Sequence, residues 1–244
     1  MLQPNKPATP APHSELLSAL RSEDIALFEE RSSECHFDAG DVIYKAGDTV
    51  EYCYFPMGPA MCSFFVELDC GTAVETILVG REGALGGVVS HGTLPAYAHA
   101  NVLHEGQFRR IATRDLEDAK RASPAIANLL ARYADCVMAQ VFQSIACNAV
   151  HTIEQRAAKW LCAAVDRIGR NDVTMTQEQL ASMMGIGRSY ASRVLQRLKR
   201  NGLVRTRRGR IEVLERDALH GRACDCNDRV AAHFERVLAG IYPE

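Results

Sequence analysis

No stretch of the 244 residues approaches the ~20 consecutive apolar positions that a membrane span requires. The opening Met1-Leu2-Gln3-Pro4-Asn5-Lys6-Pro7 lacks the basic start and apolar run of a secretory leader. Both absences lead to the expectation of a cytoplasmic protein without a membrane partner. Nine cysteines (35, 53, 62, 70, 136, 147, 162, 224 and 226) contain no Cys-x-x-Cys, the spacing common in zinc and iron–sulfur sites. No metal and no cofactor are therefore expected, and most of the thiols read as buried, reduced, small hydrophobes. Cys224-Asp225-Cys226 is the one close pair, and a redox or metal role stays open there.

The overall charge of −2 hides a division. Residues 1–150 carry 11 Lys and Arg against 19 Asp and Glu, whereas residues 151–244 carry 17 against 11. A basic final third suits a polyanionic partner for that part alone.

Residues 1–13 hold four prolines and little to bury, so a disordered tail is expected there. Leu16, Leu17, Leu20, Leu27 and Phe28 then recur at helical spacing over 14–33, behind Ser14 as a cap. From 35 to about 113, short apolar runs such as Val42-Ile43-Tyr44 and Thr76-Ile77-Leu78-Val79 alternate with glycines, the pattern of a β-barrel or β-sandwich. Ser123-Pro124 opens a long helix whose stripe includes Leu130, Tyr133, Val137, Val141 and Ile145. That stripe serves either to cover the β-region or to pair with a second copy, and the second reading is favoured, with those five residues as the dimer interface.

Thr176-Gln177-Glu178-Gln179 has the form of a capping box opening a helix, broken at Gly185-Ile186-Gly187. A second helix runs from Arg188 to about Arg200. Leu180, Ala181, Met184, Ile186, Ala191 and Val194 supply a shared core, and Gly185 falls where the turn needs positive φ. From 188 to 211 there are nine basic residues and no acidic one. Leu203–Leu214 reads as two strands around Gly209. The pattern is a winged helix-turn-helix with a basic face suited to phosphates.

With these parts in order, residues 14–226 resemble the Crp/Fnr family of bacterial regulators. Phe37-x-x-Gly40-x-x-Ile43-Tyr44-x-x-Gly47-Asp48 is similar to the family's opening β-roll motif, and Gly83-x-x-Gly86 follows in place. The resemblance implies an α+β chain: an N-terminal cyclic-nucleotide-binding-like β-roll (14–122), a dimerisation helix (123–150), a winged helix-turn-helix (151–226) and a C-terminal helical tail (227–244). It implies a homodimer that binds near-palindromic double-stranded DNA and works with RNA polymerase. The DNA-contacting candidates are Thr176, Gln177, Arg188, Ser189, Tyr190, Ser192, Arg193, Arg197, Arg208 and Arg210. Arg193 matches an arginine the family uses to read guanine, and Ser189 stands where many members carry Glu.

The effector pocket expected from the resemblance would involve Gly83, Leu85, Gly86 and Tyr97. Cyclic-AMP-binding members place Glu after the first glycine of the phosphate cassette, whereas Ala84 stands here, or Leu85 if the register slides by one. The Arg-Ser pair that holds the phosphate falls near Ala96-Tyr97, and no basic residue lies between Arg81 and Arg109. Regulation independent of cyclic AMP is expected, with ligand or redox control through the β-roll or Cys224 and Cys226 as the alternative. A metal-dependent β-barrel enzyme would need closely spaced ligands. His91, His99 and His104 form no His-x-His and read as surface residues, so no enzyme is expected.

Overall fold

The computed structural model describes residues 13–242 except Cys70. The tail expected at 1–12 lies outside the described residues. His13 is placed, its carbonyl accepting from the Gly58 amide at 3.1 Å.

The helical signal over 14–33 resolves into two pieces, α1 (Glu15–Ser18) and α2 (Ser22–Glu29). Ser14 caps the first, its hydroxyl accepting from the Leu17 amide. Seven strands follow: β1 (Ser32–Phe37), β2 (Val42–Tyr44), β3 (Tyr52–Pro56), β4 (Met61–Glu67), β5 (Ala73–Val79), β6 (His99–His104) and β7 (Gly106–Ala112). They form two antiparallel sheets, β1-β7-β3 and β2-β6-β4-β5. Phe108, Val102, Ala100, Cys62, Ile77, Val79 and Leu85 fill the space between them. Phe37 lies edge-on to Phe108 at 5.2 Å, and Tyr44 and Phe64 close the remaining side.

The helix α3 (Thr113–Ala122) leads to α4 (Pro124–Val150), the long helix. Ser123 caps α4 through the Ile126 amide, with Pro124 in its first turn as the sequence suggests. Beyond it come α5 (Ile153–Ile168), β8 (Asp172–Thr174), α6 (Gln177–Met184), α7 (Arg188–Arg200), β9 (Val204–Arg207), β10 (Arg210–Val213), α8 (Arg216–His220) and α9 (Cys226–Leu238). Strand β8 carries no clear sequence signal. It joins the wing as an outer strand, giving the order β8-β10-β9.

Two assignments on α4 need correction. Leu130 and Tyr133 are buried within their own chain, where they pack with Phe55, Ile111 and Leu116. Val137 is partly buried against the same roll. The Tyr133 hydroxyl donates to the Ala84 carbonyl at 2.9 Å, so the helix face once read as the dimer seam is the one that seats α4 on the 83–86 loop. The cause is rotational: the stripe in the sequence is wide enough to serve two faces, and the roll takes one.

Helix α9 lies against α4 and returns the chain to its start. Arg132 donates to the Val237 carbonyl at 2.7 Å, and Asn128 to the Ile241 carbonyl at 2.6 Å. The Tyr242 hydroxyl donates to Asp24 at 2.7 Å and accepts from the Arg21 amide.

The winged region docks on the roll through strands β4, β5 and β6. Met61, Leu78 and Leu103 share one apolar cluster with α5, α6 and α7. Ser182 of α6 donates to the Ala73 carbonyl at 2.8 Å and accepts from the Glu75 amide at 3.2 Å. Glu82 pairs with Arg167 at 2.8 Å. One carboxyl oxygen of Glu75 is buried without a partner at this edge. Burial pushes its carboxyl up to about 8, and the nearby Ser63 hydroxyl offsets part of that rise. A carboxyl raised on folding favours the folded state while it is protonated in both states. That contribution is whole below the ordinary value of 4.5 and is lost as pH climbs to about 8. Glu75→Gln should therefore flatten the fall in thermal stability between those values. Each kcal/mol recovered at pH 8 is worth about 2–4 °C for a chain of this size, which calorimetric scans across the range will measure; parallel profiles for the two proteins would contradict the assignment.

Candidate nucleic-acid interface

The reader is built from α6, its turn and α7. Thr176 caps α6: its hydroxyl accepts from the Gln179 amide at 3.1 Å, and the Gln179 side chain accepts from the Thr176 amide at 2.7 Å. The capping box is thus complete. Gly185 ends the helix at φ 63°, the left-handed region that the turn requires. Ala191, Val194, Leu195 and Leu198 turn α7 inward against Leu180, Met183 and Met184. Docking uses the Ser182 edge of α6, which leaves the outer side of α7 open.

On that open side stand Arg188, Ser189, Tyr190, Arg193 and Arg197, with Ser192 at its margin. The Arg193 guanidinium lies 5.2 Å from the centre of the Tyr190 ring, which gives it a platform three residues back along the helix. The basic run is less unopposed than its sequence suggests. Carboxylates from other parts of the chain reach it: Glu178 pairs with Arg188 at 2.9 Å, Glu154 with Arg197, and Asp172 with Arg210 at 2.8 Å. Glu212 serves both Arg205 and Arg207. Among the described residues, Arg193, Lys199, Arg200 and Arg208 have no carboxylate partner. All the paired side chains are solvent-exposed to a large degree, so these pairs are weak and can exchange for phosphates.

Gly209, at φ 71°, turns the wing, and its carbonyl accepts from the Met175 amide at 3.1 Å. Arg208 and Arg210 flank that turn, which this bond sets beside the residue preceding the cap of α6.

The residues expected to form an effector pocket do not meet. Leu85 is fully buried in the core of the roll, and Tyr97 is 87% exposed. Gly83 is crowded by Tyr133: a Cβ there would sit 2.6 Å from the phenol oxygen. Gly86 holds φ 105° with the Tyr52 carbonyl 2.7 Å from where a Cβ would stand. Both glycines are thus used for close packing. Arg81, the nearest cation in sequence, turns away to Glu15 and to the Arg167 carbonyl.

One cluster was not legible in the linear spacing. Cys147 and His151 at the end of α4 meet Cys224 and Cys226, with all four ligand atoms within 4.8 Å of one another. The i, i+4 pair on a helix end was the available signal, but its partners lie over 70 residues away.

Residues 155–222 match the model of the Crp-like helix-turn-helix domain. No curated protein matches the chain. Among solved structures, FixK2 from Bradyrhizobium japonicum is similar at 17% identity and TM-score 0.67, over 79% of this chain and 98% of that one. The c-di-GMP-responsive global regulator CLP of Xanthomonas campestris is similar at 15% identity and TM-score 0.65, over 80% and 100%. A Crp-family transcriptional regulator of Thermus thermophilus reaches 21% identity and TM-score 0.62, over 78% and 96%. Residues 155–222 thus form a Crp-like helix-turn-helix domain, and the chain as a whole shares with these solved regulators the fold of a β-roll, a long helix and a C-terminal helix-turn-helix, in this order.

Proposed function

We propose that this protein regulates transcription as a homodimer whose α7 helices enter successive major grooves of a near-palindromic operator, in concert with RNA polymerase and without a requirement for cyclic AMP. The observation that carries the reading is the exposed outer side of α7, on which Arg193 is unpaired and held on Tyr190. Arg193 is the base reader, and Ser189 and Ser192 flank it on the groove side. Thr176 and Gln177 present the start of α6 to a phosphate, where free backbone amides and the helix dipole favour an anion. Arg188, Arg197, Arg208 and Arg210 hold the sugar-phosphate backbone. Arg193→Ala should cost roughly 1–3 kcal/mol on the best site and relax preference at one base pair. Arg208→Ala should weaken all sequences alike and lower the salt slope by about 0.9 per contact. Selection from random DNA followed by salt titrations separates the two roles; a base preference unchanged in Arg193→Ala would remove that residue from the reading.

Dimerisation rests on the face of α4 that neither the roll nor α9 covers. Met138, Phe142 and Ile145 are 54%, 65% and 63% exposed, and Val141 lies between them. Ala131, Ala134, Met138, Val141 and Ile145 step by three and four residues in alternation, the repeat of a two-stranded helical seam. Of the five residues first assigned to the interface, Val141 and Ile145 remain. Apolar side chains of this size, left in a continuous exposed stripe, mark an association surface. Met138→Glu with Ile145→Glu should give a folded monomer by light scattering, with half-site binding in place of the full operator. Persistence of the dimer would rule out this seam.

Cyclic-AMP independence is supported by the packing of the 83–86 loop. A buried cyclic phosphate needs a cationic or strongly donating partner. Gly83 and Gly86 are taken up by close packing, and Arg81 is committed elsewhere. Calorimetry with cyclic AMP should show no saturable heat at micromolar nucleotide and no change in operator affinity. A micromolar isotherm coupled to tighter DNA binding would overturn this part of the reading.

A further inference from the structure

Cys147, Cys224 and Cys226 form a small buried cluster of sulfur atoms at the joint between the long helix and the reader. Cys147 lies on the last turns of α4, and His151 is that helix's C-terminal cap. Thr152, the next residue, caps α5. Cys224 and Cys226 come from the connection between α8 and α9, and Cys226 is the first residue of α9. The four ligands therefore come from both sides of the joint.

Their spacing decides what they suit. Cys147 Sγ and Cys224 Sγ are 3.6 Å apart, and Cys226 Sγ is 3.4 Å from His151 Nδ1. A tetrahedral Zn²⁺ with Zn–S of about 2.3 Å and Zn–N of about 2.0 Å has sulfur–sulfur edges near 3.7 Å and sulfur–nitrogen edges near 3.5 Å. These two edges fall on the tetrahedral values, and all four ligand atoms lie within 4.8 Å of one another. A disulfide needs its sulfur atoms at about 2.05 Å and would leave the third thiol and the imidazole without a role. The surroundings also suit an anionic metal–thiolate group. Three thiolates, one neutral imidazole and Zn²⁺ carry a net charge of −1. Lys159, buried beside the three thiols, supplies a compensating cation. Gln143 donates to Cys226 Sγ at 3.1 Å, the kind of outer hydrogen bond that orients a ligand sulfur. The amino end of the 13-residue helix α9 adds a favourable dipole.

We propose that Cys147, His151, Cys224 and Cys226 bind a single Zn²⁺ ion in a closed tetrahedral site that clamps the reader and α9 to the end of the long helix. All four protein ligands are filled, so the ion is structural rather than catalytic. Metal binding releases the thiol protons to solvent and involves no electron transfer. By fixing the joint at His151-Thr152, the ion sets how far the reader can swing from the helix.

The test uses the full chain, purified without a metal-affinity tag from cells grown with zinc. Elemental analysis should find one zinc per chain, released to a colorimetric chelator only after thiol modification. Cobalt added to the stripped protein should give the visible bands of tetrahedral Co²⁺ together with a sulfur-to-cobalt charge-transfer band in the near ultraviolet. Cys224→Ser with Cys226→Ser should lose the metal, and His151→Ala should weaken its retention, whereas Cys35→Ser should keep the full complement. Loss of zinc should raise amide exchange in α9 and at residues 147–156 while leaving the roll unchanged. The wild-type stoichiometry and cobalt spectrum decide the matter even if a variant fails to fold. Metal-free protein that gives no cobalt spectrum would overturn the proposal. So would a Cys147–Cys224 disulfide in protein taken from reducing cells, or an iron–sulfur absorption at these residues.

Discussion

The seating of α4 on the 83–86 loop is the contact on which the rest of the molecule depends. The Tyr133 hydroxyl reaches the Ala84 carbonyl through a gap that exists because residue 83 has no side chain. An alanine at 83 would collide with that phenol, and the helix would have to lift from the roll. Helix α4 in turn carries α9 along one side, leaves an apolar stripe along another, and ends at the joint with the reader. Once Tyr133 fixes its rotation, all three faces are fixed with it. A buried phenol with a satisfied hydrogen bond is a strict constraint, because any displacement strands a polar group in the core.

The same constraint accounts for the condition of the β-roll. The loop that would have to open around a ligand is pulled inward by Tyr133 on one side and tied to the Tyr54 backbone through Leu85 on the other. Leu85, Phe108 and Val102 complete a packed interior. The roll is therefore a platform for the long helix and the reader. Arg109 pairs with Glu29 and Glu34, and Arg81 bridges α1 to α5.

What the sequence made legible were the features that depend on neighbours in the chain. The Thr176–Gln179 capping box, the left-handed Gly185, the Ser123-Pro124 start and the Gly209 turn each follow from local backbone requirements. The β-roll could be read from its alternating short runs and glycines. Features that depend on distant partners could not. A wide apolar stripe does not say which of its faces meets the roll, so Leu130 and Tyr133 were assigned to the wrong contact. Nine basic residues without an acid between them gave no sign of Glu154, Asp172 and Glu178 arriving from other elements. Strand β8 is three residues long and exists only because β10 offers it an edge. The meeting of Cys147 and His151 with Cys224 and Cys226 needed the return of α9 along α4, which no spacing rule contains.

That return has a mechanical consequence. Tyr242 holds Arg21 and Asp24, so the reader is tethered to the roll by two routes: forward through α4, and back through α9. A body held at one hinge can swing, whereas a body held at two separated points can only twist about the line that joins them. Because α6 also bonds the roll directly at Ala73 and Glu75, the reader has a third point of hold and cannot turn about that line while this contact lasts. Any movement therefore has to release the α6 contact first, and a larger one has to release the sulfur-cluster joint or the Tyr242 latch as well.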